Sequence, residues 1–457
     1  MRALYNILFT IFFWIASPYY FLRMSRRGNW QKSFRQRFGK YDAKVKQAIT
    51  NRQLIWIHAV SVGEVNLCAQ LIQALEPRVP NIKIVVSTTT TTGMGELNKK
   101  LPTRISKIYY PIDRPLYVAR ALSTFHPEAI ILVEAEIWPN FLWRAQKLDI
   151  PIFLVNARLS QKSYRGYKRF GFLFRSIFAN FAGVGVQNEE DATRMHKLGC
   201  RPNAVHIVGN LKYDAVKLDE IQPVNVTQLL RLLAVPTNAP IIVAGSTHAG
   251  EEALLAEIYQ RLRPRFPNLF LVLVPRHFER GRQVGKELKE RGVKYIYRTE
   301  ITAKSHFKPG DVECLLVNST GELKFFYERA TVIFVGKSLT AQGGQNPIEP
   351  GALGKAMVFG PNMQNFTEIA RSFVAEKGAV QVKDAAELET VLGDLLGNEA
   401  RRMELGRNAL AVVKKNGGAM ERTVDMIVAQ LSGTGLYVRP TLPPTAPPPA
   451  TPSAPPA

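Results

Sequence analysis

Residues 54–64 read Leu-Ile-Trp-Ile-His-Ala-Val-Ser-Val-Gly-Glu. Leu54–His58 is an unbroken apolar run of strand length, and Ser61-Val-Gly-Glu64 opens a helical pattern carried by Leu67, Leu71, Ile72 and Leu75. A buried strand that turns directly into a helix is the opening unit of an α/β domain, and such folds place ligands outside the carboxyl ends of their strands. Glu64 stands at that position. The same four residues spell a capping box, with Ser at the N-cap and Glu three residues on. Glu64 therefore has two readings, helix cap and catalytic base, and the local pattern alone favours the cap.

Outward from this turn, short apolar runs alternate with helical stretches. Strands are expected at Leu54–His58, Ile82–Ser87, Ile108–Tyr110, Ala129–Val133, Ile150–Val155, Gly183–Val186 and Val205–Val208. Helical patterns such as Leu116–Leu122 and Asn188–Leu198 lie between them, which argues for βαβ units and a largely parallel sheet. The pattern weakens between Asp214 and Pro240. A second series then begins, at Ile241–Ala244, Leu269–Val274, Val293–Tyr297, Glu313–Val317, Thr331–Val335, Ala356–Phe359 and Ala379–Val382. The expectation is an α/β protein of two Rossmann-like halves facing a central cleft. Its parts are an anchor and the start of a basic neck (1–27), a first domain (28–215), a linker (216–240), a second domain (241–435) and a tail (436–457). Pro440 to Ala457 holds nine of the 29 prolines, a composition that builds no core and suits an extended tail.

With 457 residues, 46% of them hydrophobic and 21% charged, the chain has room for two full cores. Its 60 Lys and Arg against 37 Asp and Glu leave a formal charge of +23, which suits anionic partners. Cys68, Cys200 and Cys314 are far apart, without disulfide or metal spacing; Cys68 and Cys314 fall in apolar runs and read as small core residues of a reducing compartment. No Asp-x-Asp, Walker loop, Gly-x-Ser-x-Gly elbow or His-rich cluster is present, so no metal or cofactor is expected. Ala3 to Leu22 is apolar and aromatic over the length of one membrane span. A dense basic stretch follows: Arg23, Arg26, Arg27, Lys32, Arg35, Arg37, Lys40, Lys44, Lys46 and Arg52, opposed only by Asp42. Positive charge on the carboxyl side assigns that side to the cytoplasm and binds anionic lipid. Length favours a single-pass anchor; Pro18 and the aromatics Tyr19 to Phe21 admit an interfacial helix instead.

Polar clusters follow four strands of the second half. Gly245-Ser-Thr-His-Ala-Gly-Glu251 is an anion site or an ordinary helix start. Pro275-Arg276-His277 offers a guanidinium to a phosphate or base edge, or a solvated loop Arg. Thr320-Gly321-Glu322 opens a helix with its acid in the favourable first turn. Gly343-Gly-Gln-Asn-Pro-Ile-Glu-Pro350 has Asn346 at N-cap, Pro347 at N1 and Glu349 at N3, with Glu349 able to accept from ribose hydroxyls. Singly each is weak; together, at the strand ends of one domain, they indicate a nucleotide site. In the first half, Glu134-Ala-Glu136-Ile-Trp-Pro139 adds two acids at a strand end, one of them a candidate helix-start residue. Lys162, Arg165, Lys168, Arg169 and Arg175 interleave with Tyr164, Tyr167, Phe170 and Phe172. That spacing suits an anionic amphiphile at a membrane, or a solvated amphipathic face. Asn210-Leu-Lys-Tyr-Asp214 brings a lysine to the end of the half.

From about the anchor to about Leu431 the chain resembles the Kdo transferases of Gram-negative bacteria, where Kdo is 3-deoxy-D-manno-oct-2-ulosonic acid. The resemblance rests on His58-Ala-Val-Ser-Val-Gly-Glu64, Glu134-Ala-Glu-Ile-Trp-Pro139, Asn156-Ala-Arg-Leu-Ser160 and Gly209-Asn-Leu-Lys-Tyr-Asp214. It continues through Gly245-Ser-Thr-His248, Pro275-Arg-His277, Thr320-Gly-Glu322 and Gly343 to Pro350. It implies a GT-B glycosyltransferase at the cytoplasmic face of the inner membrane, taking CMP-Kdo as donor and a lipid A precursor as acceptor. By the same resemblance Glu64 is the catalytic base, and Glu134 and Lys212 stabilise the transition state. Pro275, Arg276, Thr320, Gly321, Glu322, Asn346, Pro347, Ile348 and Glu349 contact CMP. Two departures flank the donor site: Gln345 stands where the family usually has His, and Lys337 where a second Gly is common.

The expected reaction is an inverting displacement without nucleic acid, cofactor or obligatory protein partner, beside anionic lipid. The alternatives are another membrane-associated GT-B enzyme using a UDP-sugar, a UDP-sugar 2-epimerase of the same architecture, and a non-enzymatic membrane scaffold. CMP against UDP binding separates the first, and turnover of donor without acceptor the second. The scaffold leaves the strand-end clusters without a role.

Overall fold

The computed structural model describes residues 2–26, 33–49, 53–80, 82–134, 136–215 and 224–432. The Pro-rich tail, residues 216–223 of the expected linker and Arg27, Lys32 and Arg52 of the basic neck lie outside them. Two units are present, one comprising residues 1–215 with 418–457, the other residues 216–417.

The first unit is built on a seven-stranded sheet: β1 (Leu54–His58), β2 (Lys83–Thr88), β3 (Ser106–Tyr109), β4 (Ala129–Val133), β5 (Ile152–Ala157), β6 (Gly183–Val186) and β7 (Val205–Ile207). All pairs are parallel, in the order β3-β2-β1-β4-β5-β6-β7. Strands covered on both faces need apolar side chains at every position, and β1 is buried throughout. Its side chains alternate between two cores. Trp56 packs with Phe125 and Phe141 on one face, while Ile55 and Ile57 join Leu71 and Ile131 on the other. β1 lies between β2 and β4, so the strand order reverses there, and the loops after β1 and β4 diverge over a topological switch point.

The second unit repeats this plan with β8 (Ile241–Thr247), β9 (Phe270–Pro275), β10 (Tyr295–Tyr297), β11 (Cys314–Leu316), β12 (Val332–Val335), β13 (Met357–Phe359) and β14 (Val380–Gln381), in the order β10-β11-β9-β8-β12-β13-β14. Its switch point falls between β8 and β12.

Every strand expected from the sequence is present, with ends displaced within the usual margin. The segment boundaries differ in two places. The expected linker contains the helix Val226–Leu232, which packs against the helix Leu323–Arg329 of the second unit. The helix Ala419–Leu431, expected in the second domain, belongs to the first unit. Its Val424, Ile427 and Leu431 enter the core with Cys68 and Leu71, each burial worth roughly 1.5–3 kcal/mol. Asp214 fixes the start of this helix, its carboxylate accepting from Gly418 N at 2.7 Å and Met420 N at 2.6 Å. Arg78 pairs with Asp425 at 2.8 Å. An apolar helix face reads alike whichever core it covers, so this assignment needed three dimensions.

The helix Arg2–Arg26 precedes these elements, with Pro18 inside it. Among the described residues it alone is long and apolar enough to cross a membrane.

Candidate functional site

The turn after β1 forms both halves of the capping box. Ser61 Oγ accepts from Glu64 N at 3.2 Å, while Glu64 Oε2 accepts from Val60 N at 2.8 Å and Oε1 from Ser61 N at 3.3 Å. Glu64 is buried, with 8% of its surface exposed. Two backbone donors do not exhaust a carboxylate, which offers about four lone-pair directions. The cap is thus formed, and a proton-accepting lobe remains.

Across the switch point, β4 is followed directly by Glu134, a non-glycine residue in left-handed backbone at φ +60°. Its neighbour strand β5 slips register between Leu154 and Ala157, and Asn156 in that slip is also left-handed, at φ +53°. The Asn156 amide donates to Glu134 Oε1 over a long 3.5 Å. Asn156 Oδ1 accepts from Leu211 N at 3.2 Å and Gln187 Nε2 at 3.2 Å, and Asn210 Oδ1 accepts from Lys212 N at 3.0 Å. One polar network thus ties the Glu134 strand end to the loop bearing Lys212.

These groups share one field. Burial, and then the Glu64 charge, hold the Glu134 carboxyl above the ordinary carboxylate range, with Lys212, Arg158 and Asn156 pulling the other way. Burial likewise raises Glu136, reinforced by Glu64 and Glu134 and opposed by the Trp138 indole, which donates to Glu136 Oε2 at 3.0 Å. Burial lowers the Lys212 ammonium while Glu134 and Glu64 support its charge. The structure therefore brings Glu64, Glu134, Glu136 and Lys212 together at the carboxyl edge of the first sheet. Arg158, quoted in the sequence without a role, joins them electrostatically; its place after β5 was the available signal. His58, by contrast, is fully buried against Tyr110, bonds to Ser87, and has its pKa pushed down to about 3 by burial. It is a neutral core residue.

In the second unit, Glu251 has no exposed surface and organises the switch point. Its Oε2 accepts from His248 N at 2.9 Å and Lys337 N at 2.7 Å, and its Oε1 from Ser338 N at 2.9 Å and Leu339 N at 3.0 Å. The loops after β8 and β12 are thereby clamped together. Gly336 permits this approach, since a Cβ there would meet Ser246 O and Thr247 Cα at 2.6 Å each. Beside the clamp, buried Glu252 accepts from Thr247 Oγ1 at 2.9 Å and from Arg280 at 2.7 and 3.2 Å. Burial lowers the His248 imidazole to about 4, helped by Lys337, His277, Arg280 and Arg276 in that order. So many cationic groups converging on a neutral imidazole make a ready cradle for a phosphate.

The other expected donor residues occupy the same strand ends. Arg276 is exposed, its backbone N donating to Thr247 O at 3.0 Å. Thr320 and Gly321, the latter at φ +84°, are exposed, and Glu322 precedes its helix instead of lying within it, paired with Arg298 at 3.0 Å. The helix after Gly343-Gly344 runs Ile348–Ala352, starting one residue later than expected. Asn346 still serves it, Oδ1 accepting from Ile348 N at 3.1 Å and Nδ2 donating to Glu349 Oε1 at 3.3 Å. Pro347 precedes that helix. Gln345 contacts His248 at 3.4 Å, and Lys337 holds left-handed backbone at φ +54°, the conformation that favours the glycine common in the resembling family.

The sequence model of the family described as 3-deoxy-D-manno-octulosonic-acid transferase (kdotransferase) matches residues 32–215. A 3-deoxy-D-manno-octulosonic acid transferase of Bordetella pertussis is 32% identical over 416 residues, covering 89% of this chain and 94% of its own. One from Haemophilus influenzae is 32% identical over 376 residues, 82% and 86% of the two chains. Among solved structures, a UDP-GlcNAc 2-epimerase from Neisseria meningitidis superposes with a TM-score of 0.56 at 15% identity, covering 82% of this chain and all of that one. At that identity the likeness shows the fold alone, the α/β GT-B type. The sequence relatives are far nearer and settle the family: the chain belongs to the 3-deoxy-D-manno-octulosonic acid transferases and is a glycosyltransferase that moves Kdo.

Proposed function

We propose that the chain moves Kdo from CMP-Kdo to a lipid A precursor, lipid IVA, with inversion at the anomeric carbon, at the cytoplasmic face of the inner membrane. The observation that carries this reading is the acid cluster at the first switch point: Glu64, Glu134 and Glu136 within one field with Lys212. Glu64 takes the proton of an acceptor hydroxyl as its oxygen bonds to the anomeric carbon. The bond from that carbon to the CMP phosphate oxygen breaks, and CMP leaves with the electron pair. Glu134 and Lys212 stabilise the transition state, where Lys212 offsets the gathered negative charge of Kdo carboxylate and phosphates.

The donor is assigned to the second unit. Arg276 and the loop Thr320, Gly321 and Glu322 contact CMP together with Pro275 and the segment Asn346, Pro347, Ile348 and Glu349. The His248 cradle receives the phosphate. The basic and aromatic helices Gln161–Arg169 and Gly171–Ala179 hold the acceptor; Phe170 and Phe172 are about half exposed there, at 48% and 51%. The proteins named as relatives are Kdo transferases, and the eight sequence motifs fall on the strand ends just described.

The test is an assay of the purified protein with CMP-Kdo and tetraacyl lipid A precursor, weighing the product by mass spectrometry. One or more Kdo increments on the lipid are expected. Release of free Kdo alone, or transfer from a UDP-sugar and none from CMP-Kdo, would overturn the assignment.

A further inference from the structure

Two segments of the chain meet at one short stretch after β3. Tyr5 Oη, in the first turns of the N-terminal helix, donates to Asp113 Oδ2 at 2.8 Å. Ile112 N, one residue earlier, donates to Arg37 O at 2.8 Å. Further contacts hold each segment. Asn140 Nδ2 donates to Asn6 Oδ1 at 2.7 Å, and Arg2 lies over the Trp143 ring at 5.4 Å. Gln36 accepts from Tyr109 N at 2.9 Å. Tyr5 and Asn6, ahead of most of the apolar part of the helix, and Arg37, beyond it in the sequence, are thus held against neighbouring residues of the first unit.

A spanning helix cannot meet that geometry. The hydrocarbon core is about 30 Å thick, so a crossing would put Tyr5 and Arg37 on opposite sides of it. A second crossing would fall to the sequence between Arg26 and Arg37, which carries Arg27, Lys32 and Arg35. Charges at that depth are costly. Yet the helix presents Leu8, Ile11, Ile15 and Leu22 to its surroundings, all more than half exposed, with no charge between Arg2 and Arg23. Such a surface calls for acyl chains, and the arginines that follow it call for anionic headgroups.

We propose that the helix Arg2–Arg26 is a monotopic anchor: it lies in one leaflet of an anionic bilayer, on the same side as the catalytic body, pinned to the first unit by Tyr5 and Asn6. The single-pass anchor expected from length gives way because those two residues carry side chains committed to the body. The pinning has a functional consequence. The helix Pro139–Lys147, which carries Asn140 and Trp143, also packs against Gly171–Ala179, so anchor and acceptor-binding helices border one element. The leaflet is thereby held at a fixed position relative to the acid cluster. The proposal rests on the membrane reading given above.

The test places single cysteines in the full chain, Ala3→Cys in the helix and Lys289→Cys on the exposed surface of the second unit, and treats spheroplasts with a membrane-impermeant maleimide. The native cysteines are buried, which keeps the background low. Both positions should stay unlabelled in intact spheroplasts and react together once the membrane is opened. Labelling of Ala3→Cys in intact spheroplasts, with Lys289→Cys protected, would overturn the monotopic anchor and leave membrane association standing. Recovery of the protein in the soluble fraction would instead overturn the membrane reading itself.

Discussion

The Asn156 side-chain amide reaches the Glu134 carboxylate at 3.5 Å, and both residues hold left-handed backbone, Asn156 in β5 and Glu134 just past the adjacent β4. Asn tolerates that conformation better than most residues, whereas Glu does not. Strain at two adjoining strand ends, satisfied by one network that also holds Leu211, is the mark of a site kept in shape at some cost to stability. Replacing Asn156 by Ala removes this contact and the two bonds that Oδ1 accepts. The expected loss of stability is about 2–3 kcal/mol, and turnover should fall by roughly 100-fold as the Lys212 loop shifts. Asn156→Gly keeps the backbone conformation, so its thermal midpoint should lie above that of Asn156→Ala while turnover falls equally. Equal midpoints would contradict a left-handed strain at this position.

Glu251 accepts from four backbone N–H groups at once. A glutamine there presents one amide nitrogen that cannot accept, leaving buried donors unmet. Glu251→Gln should cost about 2–4 kcal/mol, read as a lower thermal midpoint. Donor affinity should fall too, since the loops after β8 and β12 lose their clamp. A variant as stable as the parent would show that the clamp is incidental.

Lys337 stands at φ +54° and helps hold His248 unprotonated. Lys337→Gly relieves the backbone, with an expected gain of up to about 1 kcal/mol. It should also raise the His248 pKa from about 4, visible in an NMR titration, and weaken CMP binding. The sign is fixed by the depressed value. His248 contributes stability that is present above the unfolded pKa near 6.5 and lost as pH falls through about 4, so the variant should resist acid better. An unchanged imidazole titration would place Lys337 outside the cradle.

Asp113 accepts from Tyr5, Asn140 N and Phe141 N, yet burial outweighs those bonds and raises its pKa to about 6. The folded protein therefore holds this proton more tightly than the unfolded chain. That contribution is fully present below the ordinary Asp value near 4 and is lost as pH rises through about 6, to the extent of roughly 2–3 kcal/mol. Thermal midpoints of the parent should decline relative to Asp113→Asn between pH 4 and pH 7. Parallel curves would refute the raised value.

The strands were legible because parallel strands covered on both faces demand continuous apolar runs, as in Leu54–His58 and Phe270–Val274. Ser61 and Glu64 were legible as a cap because the capping box is local. What escaped the sequence was long-range or conformational. Glu251 looks like any first-turn acid until residues 337–339, far along the chain, arrive at its carboxylate. Nothing in their residue type marks Glu134 or Lys337 as left-handed, since neither is a glycine or an asparagine. Tyr5 and Asn6 read as minor interruptions of an apolar run, and only their partners at Asp113 and Asn140 reveal them as fasteners. The helix Ala419–Leu431 shows the same limit, because its apolar face carries no address.

Glu64 is the observed cap and the proposed base, and one substitution separates the two roles. Glutamine also completes a capping box, so Glu64→Gln keeps the helix start while removing the proposed proton acceptor. The decisive measurement is single-turnover transfer from CMP-Kdo by Glu64→Gln, beside its thermal midpoint and CMP affinity. Turnover should fall by about 1000-fold or more, with midpoint and CMP affinity close to the parent's. Near-parental turnover in a normally folded variant would contradict the assignment of Glu64 as base and leave it a cap alone.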